Sequence, residues 1–243
     1  MRRSLKVALT GLSFLSITAL AGCGLVPSMP EPIGEFIPPI EEVVPQGNLT
    51  EYGFTQAQRI AVRVRNISCT DVIRGTGFAI DSRTLITNKH VVAGNNQLQL
   101  STYDGRDVEV TSSATAAIAD LAIVRSTEDL VAYPTIAEED PKVGDLISVV
   151  GFPNGGELTV SQGMILQFTS DPLNENLGEV ILTDATVEPG SSGSAALDEQ
   201  GRVIGVVYAK SNTGYTYIIP VSMLRSLLDE EGSFTPQTEA PCS

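Results

Sequence analysis

A chain of 243 residues that is 42% hydrophobic and 18% charged is too apolar for wholesale disorder, and is long enough for one sizeable domain or two small ones sharing an interface. Its formal net charge of -14, with no basic patch in view, argues against nucleic acid as a partner. Many Gly, Pro, Val, Ile and Thr residues, no Trp and few long helical patterns lean toward an all-β architecture.

Arg2, Arg3 and Lys6 precede a mostly apolar stretch from Val7 to Leu20, which ends Leu20-Ala21-Gly22-Cys23. This is the pattern of a secretory signal peptide over residues 1–22, too short and wrongly flanked for a spanning helix. The small-small-Cys ending resembles a bacterial lipobox. That resemblance implies cleavage before Cys23, acylation of its sulfur with a palmitate-like chain, and an extracytoplasmic protein held to the cell membrane by lipid. Residues 23–48 hold Pro27, Pro30, Pro32, Pro38, Pro39 and Pro45 with acidic residues between them, an extended tether. Export leaves Cys69 and Cys242 as a pair in an oxidising compartment, so one disulfide between them is expected.

The remaining segment, residues 49–243, then reads as short strands. Ile60, Val62 and Val64 alternate with Ala61, Arg63 and Arg65, one face buried and one wet. Runs at 77–80, 85–87, 98–100, 108–110 and 121–124 complete a first series over about 55–137. A second series over about 142–220 has runs at 146–150, 158–168, 180–183, 195–197, 203–208 and 215–219. Two sets of six strands predict two packed antiparallel barrels, because closure removes exposed edges. Val221 to Leu228 reads as a short C-terminal helix.

Three segments carry chemistry. His90, the chain's single histidine, follows a strand in Thr87-Asn88-Lys89-His90-Val91-Val92. Asp120 opens the apolar strand Asp120-Leu121-Ala122-Ile123-Val124, where a buried carboxylate could orient an imidazole. Pro189-Gly190-Ser191-Ser192-Gly193 precedes another strand; nucleophilic serine chemistry needs an exposed hydroxyl beside free backbone N–H groups. Each segment alone has an ordinary structural explanation, as a surface histidine, a strand-capping acid or a hairpin loop. One histidine and scattered carboxylates offer no metal-ligand cluster, and no cofactor is expected.

With these motifs, and with Gly75-Thr76-Gly77-Phe78, Gly151-Phe152-Pro153 and Ile218-Ile219-Pro220 in the same order, the chain resembles the trypsin-like serine peptidases. The likeness is greatest to the bacterial Do/Deg (high-temperature-requirement) branch, here without a following PDZ module. It implies that His90, Asp120 and Ser192 form a triad cutting protein or peptide substrates, with the N–H groups of Gly190 and Ser192 as oxyanion hole. It further implies a substrate pocket with Thr186 at its base, Thr216 on its wall and Tyr208, Ala209, Lys210 and Ser211 opposite; with no acid among them, cleavage is expected after small or medium apolar residues. Ser191 and Ser194 depart from the family, which usually has Asn or Asp before the nucleophile and Gly two after it. These departures leave open a second reading, a protease-shaped binding or assembly lipoprotein with a vestigial site. An α/β-hydrolase would require the order Ser, Asp, His, the reverse of this chain.

Overall fold

The computed structural model describes residues 54–94, 96–176 and 178–238, so the leader, Cys23, the Pro-rich tether and Cys242 lie outside it. The first series contains β1 (Ala61–Ile67), β2 (Val72–Ala79), β3 (Thr84–Thr87), β4 (Gln97–Thr102), β5 (Asp107–Val108), β6 (Val110–Ala116) and β7 (Ala122–Ser126). The second contains β8 (Leu146–Gly151), β9 (Thr159–Ser170), β10 (Glu179–Thr183), β11 (Ala195–Leu197), β12 (Val203–Lys210) and β13 (Thr216–Pro220). A short β14 (Phe234–Pro236) ends the described chain. Three α-helices are present among the described residues, α1 (Gln56–Arg59), α2 (Lys89–Val92) and α3 (Val221–Asp229), with a 3-10 turn at Pro153–Gly155.

The alternation in β1 holds except at Ala61, expected on the wet face, which is buried. Val62 and Val64 are buried, Arg65 is exposed, and the strand pairs antiparallel with β2 and β4. The second series closes into a six-stranded antiparallel barrel in the order β10-β13-β12-β11-β8-β9, as expected. The first series differs in detail: it is a curled sheet of eight strands, ordered β14-β6-β7-β3-β2-β1-β4-β5. Two features account for this. The expected strand at 108–110 is split between β5 and β6, with a register shift opposite β7 between Val110 and Ser112. The C-terminal segment then returns as β14, pairing Phe234 with Ala116, and so covers the backbone edge of β6.

Apolar side chains gather in three groups. Val62, Leu85, Leu100 and Val124 fill the first sheet, and Ile147, Ile165, Ile181 and Ile218 fill the barrel. A third group draws on both halves: Phe78, Ile86 and Leu121 from the first meet Val150, Phe152, Val206 and Ile219 from the second. Each such side chain contributes about 1.5–3 kcal/mol by burial, so this shared core joins the two halves firmly. Helix α3 adds Leu224 and Leu227 to it, and the Asp140 carboxylate of the inter-barrel connection accepts a hydrogen bond from Ser222 N (2.9 Å) in its first turn. The loops bearing His90, Asp120 and Ser192 emerge along this seam.

Candidate active site

Between β10 and β11 the chain runs Glu188-Pro189-Gly190-Ser191-Ser192-Gly193-Ser194. Ser191 N donates to Glu188 O at 3.0 Å, and Gly190 has φ +96°. Proline second and a positive-φ glycine third make this a type II turn. Its carbonyls are pinned from outside: Pro189 O accepts from Asn154 N, and Gly190 O accepts from the Thr76 hydroxyl at 2.8 Å. The amides of Ser191, Gly193 and Ser194 all donate to backbone carbonyls. Those of Gly190 and Ser192 have no acceptor among the described residues, which leaves the expected pair of donors vacant.

Thr76 is the residue that locks this loop. Its N–H donates to Ser192 O (2.8 Å), its hydroxyl bonds Gly190 O and accepts from Phe152 N (2.9 Å), and its carbonyl accepts from the Thr87 hydroxyl (2.7 Å). Gly75-Thr76-Gly77-Phe78 and Gly151-Phe152-Pro153 thus meet at one buried threonine. The sequence signalled both motifs, but not that Thr76 joins them.

The two departures from the family pattern are accommodated. Ser191 is buried, and its N–H and C=O are both used in turns. Ser194 is fully buried with its hydroxyl unpartnered among the described residues, and it occupies space that Gly151 leaves open: a Cβ on Gly151 would lie 2.0 Å from Ser194 Oγ. The room that Gly151 leaves is what lets a serine stand at 194.

His90 sits on the single turn α2, directly after β3. Its N–H donates to Asp120 Oδ1 at 2.9 Å, and its Nδ1 lies 2.6 Å from Asp120 Oδ2. An ionised Asp120 fixes the proton on Nδ1 and leaves Nε2 as a base. The imidazole is 42% exposed and the carboxylate 4%, so the ring is open to solvent while its partner is shielded from water. Asn88 donates its side-chain amide to Asp120 O at 2.8 Å, tying the two loops together. Among the described residues, no hydrogen bond joins the Ser192 hydroxyl to His90. Such bonds commonly tighten only when substrate binds.

The β9–β10 loop supplies residues that the sequence did not flag. Asp171 accepts hydrogen bonds from Leu173 N, Glu175 N, Asn176 N, the Asn176 amide and the Tyr208 hydroxyl. Burial opposes its charge, but these donors prevail and hold its carboxyl below the ordinary range. The same bond, after burial itself, pushes the Tyr208 hydroxyl far up. Asn176 Oδ1 accepts from Asp120 N at 2.9 Å, and one side-chain atom each from His90, Asp120 and Glu175 lie within 4.8 Å of one another. The expectation of scattered carboxylates therefore does not hold at this point. Within this group, Nδ1 of His90 is already bonded to Asp120.

A cavity of about 250 Å³ beside Ser192 is lined by Val187, Glu188, Val207, Tyr208, Ala209 and Lys210, among others. Lys210 Nζ and Glu188 Oε1 pair at 2.9 Å there. The other expected pocket residues lie elsewhere. Thr186 lines a separate cavity of about 200 Å³ with Gly151, Pro153 and Ser191. Thr216 is fully buried and its hydroxyl donates to Ala185 O at 2.6 Å. Ser211 is engaged in a turn with Thr213 and Tyr215. Asp184, two residues before Thr186, accepts from Met164 N on β9 at 2.7 Å.

Residues 75–206, more than half of the chain, match the trypsin-like peptidase domain family. The chain belongs to the trypsin-like peptidases. Its curated relatives place it with the Do/Deg branch: it is 30% identical to serine endoprotease DegS of Escherichia coli K12 over 64% of this chain and 47% of that one. It is likewise 30% identical to a probable periplasmic DegP-like serine endoprotease of Chlamydia pneumoniae, over 66% of this chain and 34% of the relative. The chain thus spans about a third to a half of the length of these relatives. Among solved structures it is similar to the active form of the Rv3671c protease of M. tuberculosis, with TM-score 0.67 and 26% identity, covering 76% of this chain and 86% of that one.

Proposed function

We propose that this trypsin-like chain is an extracytoplasmic, lipid-anchored serine endopeptidase with His90, Asp120 and Ser192 as its triad. The observation that carries the reading is the pair of vacant amides at Gly190 and Ser192, set in a pinned turn beside a bonded His90–Asp120 pair. Ser192 Oγ attacks the scissile carbonyl carbon and passes its proton to His90 Nε2. The carbonyl oxygen takes the charge and accepts from the two amides, each worth about 3 kcal/mol in the transition state. Collapse of this intermediate expels the amine, which takes the proton from Nε2. Water, deprotonated by the same nitrogen, then hydrolyses the acyl-enzyme.

The walls beside Ser192 favour a small or medium apolar side chain before the scissile bond. Val187, Val207, Tyr208 and Ala209 are apolar in contact, and the Glu188–Lys210 pair cancels both charges in the lining. A substrate arginine or lysine would have to compete with Lys210 for Glu188. Digestion of a peptide library is expected to give cleavage mainly after Ala or Val. Lys210→Ala, which leaves Glu188 unpaired, is expected to raise the share of cuts after Arg or Lys. Dominant basic cleavage by the wild-type chain would overturn this assignment.

The anchor and the disulfide belong to the same reading. Cys23 after the apolar leader supports lipidation, and relatives named as periplasmic support an extracytoplasmic place. A Cys69–Cys242 bond is supported by the course of the C-terminal segment. Gln237 lines one cavity with Arg65 and Gln97, and Gln97 lies opposite Ile67, two residues before Cys69. Closing so long a loop stabilises by about 3–5 kcal/mol in the chain-entropy model. Intact-mass analysis of membrane-extracted protein is expected to give an acylated chain beginning at Cys23 with no alkylatable thiol. An unacylated mature chain would refute the anchor, and two free thiols would refute the disulfide.

A further inference from the structure

The β9–β10 loop has no part in the mechanism so far, yet it is built around the triad. Asp171 gathers five donors, Asn174 takes φ +55°, and the resulting turn delivers two consecutive side chains to one place. Asn176 accepts from the Asp120 backbone, and the Glu175 carboxylate comes to within 4.8 Å of both the His90 imidazole and the Asp120 carboxylate. Two carboxylates this close repel, and a positive charge on His90, with that of Lys89, offsets the repulsion.

We propose that Glu175 is a positioning residue of the site, a second carboxylate that acts through His90 by stabilising the ring as it takes the serine proton. The charges around the ring agree with this. Asp120 and Glu175 face it, Lys89 precedes it on α2, and Asp171 and Tyr208 stand behind Glu175. Burial disfavours the charged ring, but the Asp120 hydrogen bond and the charges of Asp120 and Glu175 outweigh it and raise His90 above its ordinary value. Glu175 is itself pushed up, first by burial and then by Asp120. The rise at His90 is what two neighbouring carboxylates produce, whereas at Glu175 the charges of His90 and Lys89 oppose the rise that burial and Asp120 cause.

His90 is the single histidine of the sequence, so its imidazole can be titrated by NMR in the full chain without assignment ambiguity and without any assay of activity. Removing a neighbouring negative charge lowers the pH at which the ring ionises. The His90 titration in Glu175→Gln is therefore expected to lie at lower pH than in wild type, with Glu175→Asp returning toward wild type. Because Glu175 is exposed, half-molar salt is expected to narrow the difference. The inference rests on the peptidase reading only for its kinetic consequence. There, the acid limb of kcat/KM follows the same shift, and the plateau falls about two- to fivefold in Glu175→Gln. Coincident titration curves for wild type and Glu175→Gln would overturn the proposal, even if the variant were less stable. A shifted titration in a protein that does not react with a fluorophosphonate would instead sustain the Glu175 inference and remove the peptidase reading.

Discussion

Peptide hydrolysis by Ser192→Ala is expected to fall by at least about four orders of magnitude in kcat, because no other group can form the acyl-enzyme. The fold should be unchanged. The Ser192 hydroxyl makes no hydrogen bond among the described residues, while the bonds that shape its loop run through backbone atoms: Thr76 N to Ser192 O, Gly193 N to Val207 O and Ser194 N to Ser191 O. Alanine keeps all of them. Thermal unfolding within about a degree of wild type, together with lost hydrolysis, is the expected pair of results, since deleting an unbonded hydroxyl removes no stabilising contact. Retained hydrolysis would move the nucleophile elsewhere.

Gly190→Ala has the next largest expected effect, by a different route. The residue lies at φ +96°, where an L side chain is strained, and its Cβ would meet three backbone atoms: Asn154 N at 2.7 Å, Phe152 O at 2.8 Å and Gly155 N at 2.9 Å. The type II turn then gives way to one in which the Pro189–Gly190 peptide is rotated. This withdraws the Gly190 N–H and frees Pro189 O from Asn154. Losing one oxyanion donor costs on the order of 10²–10³ in kcat, with KM less affected. Labelling of Ser192 by a fluorophosphonate should continue at a reduced rate. An unchanged kcat would show that this amide does not hold the oxyanion.

Much of this site is written in local segments, and those were legible. Ser192 and His90 sit in short motifs whose chemistry depends on their immediate neighbours, and Asp120 opens a strongly apolar strand. The barrel strands were legible for a similar reason, since runs such as Val203-Ile204-Gly205-Val206-Val207-Tyr208 leave little alternative to a buried strand. β6 was not, because Thr111-Ser112-Ser113-Ala114-Thr115-Ala116 has no apolar alternation and becomes a strand only through pairing with β7 and β14. The supports of the triad depend on contacts across long stretches of chain. Thr76 is 114 residues from Gly190, and Asn176 is 56 from Asp120. No pattern within either segment encodes such a meeting. Thr216 illustrates the converse: the family resemblance implies a place on a pocket wall, whereas its hydroxyl is committed to Ala185 O inside the barrel.

Reaction of the full chain with a fluorophosphonate, followed by mapping of the modified residue, tests the central claim most directly. Only a serine paired with a base and facing an oxyanion hole reacts at an appreciable rate. A single adduct on Ser192, lost when His90 is replaced by alanine, is the predicted result. No adduct, or one on Ser191 or Ser194, would contradict the account and leave a protease-shaped binding protein in its place.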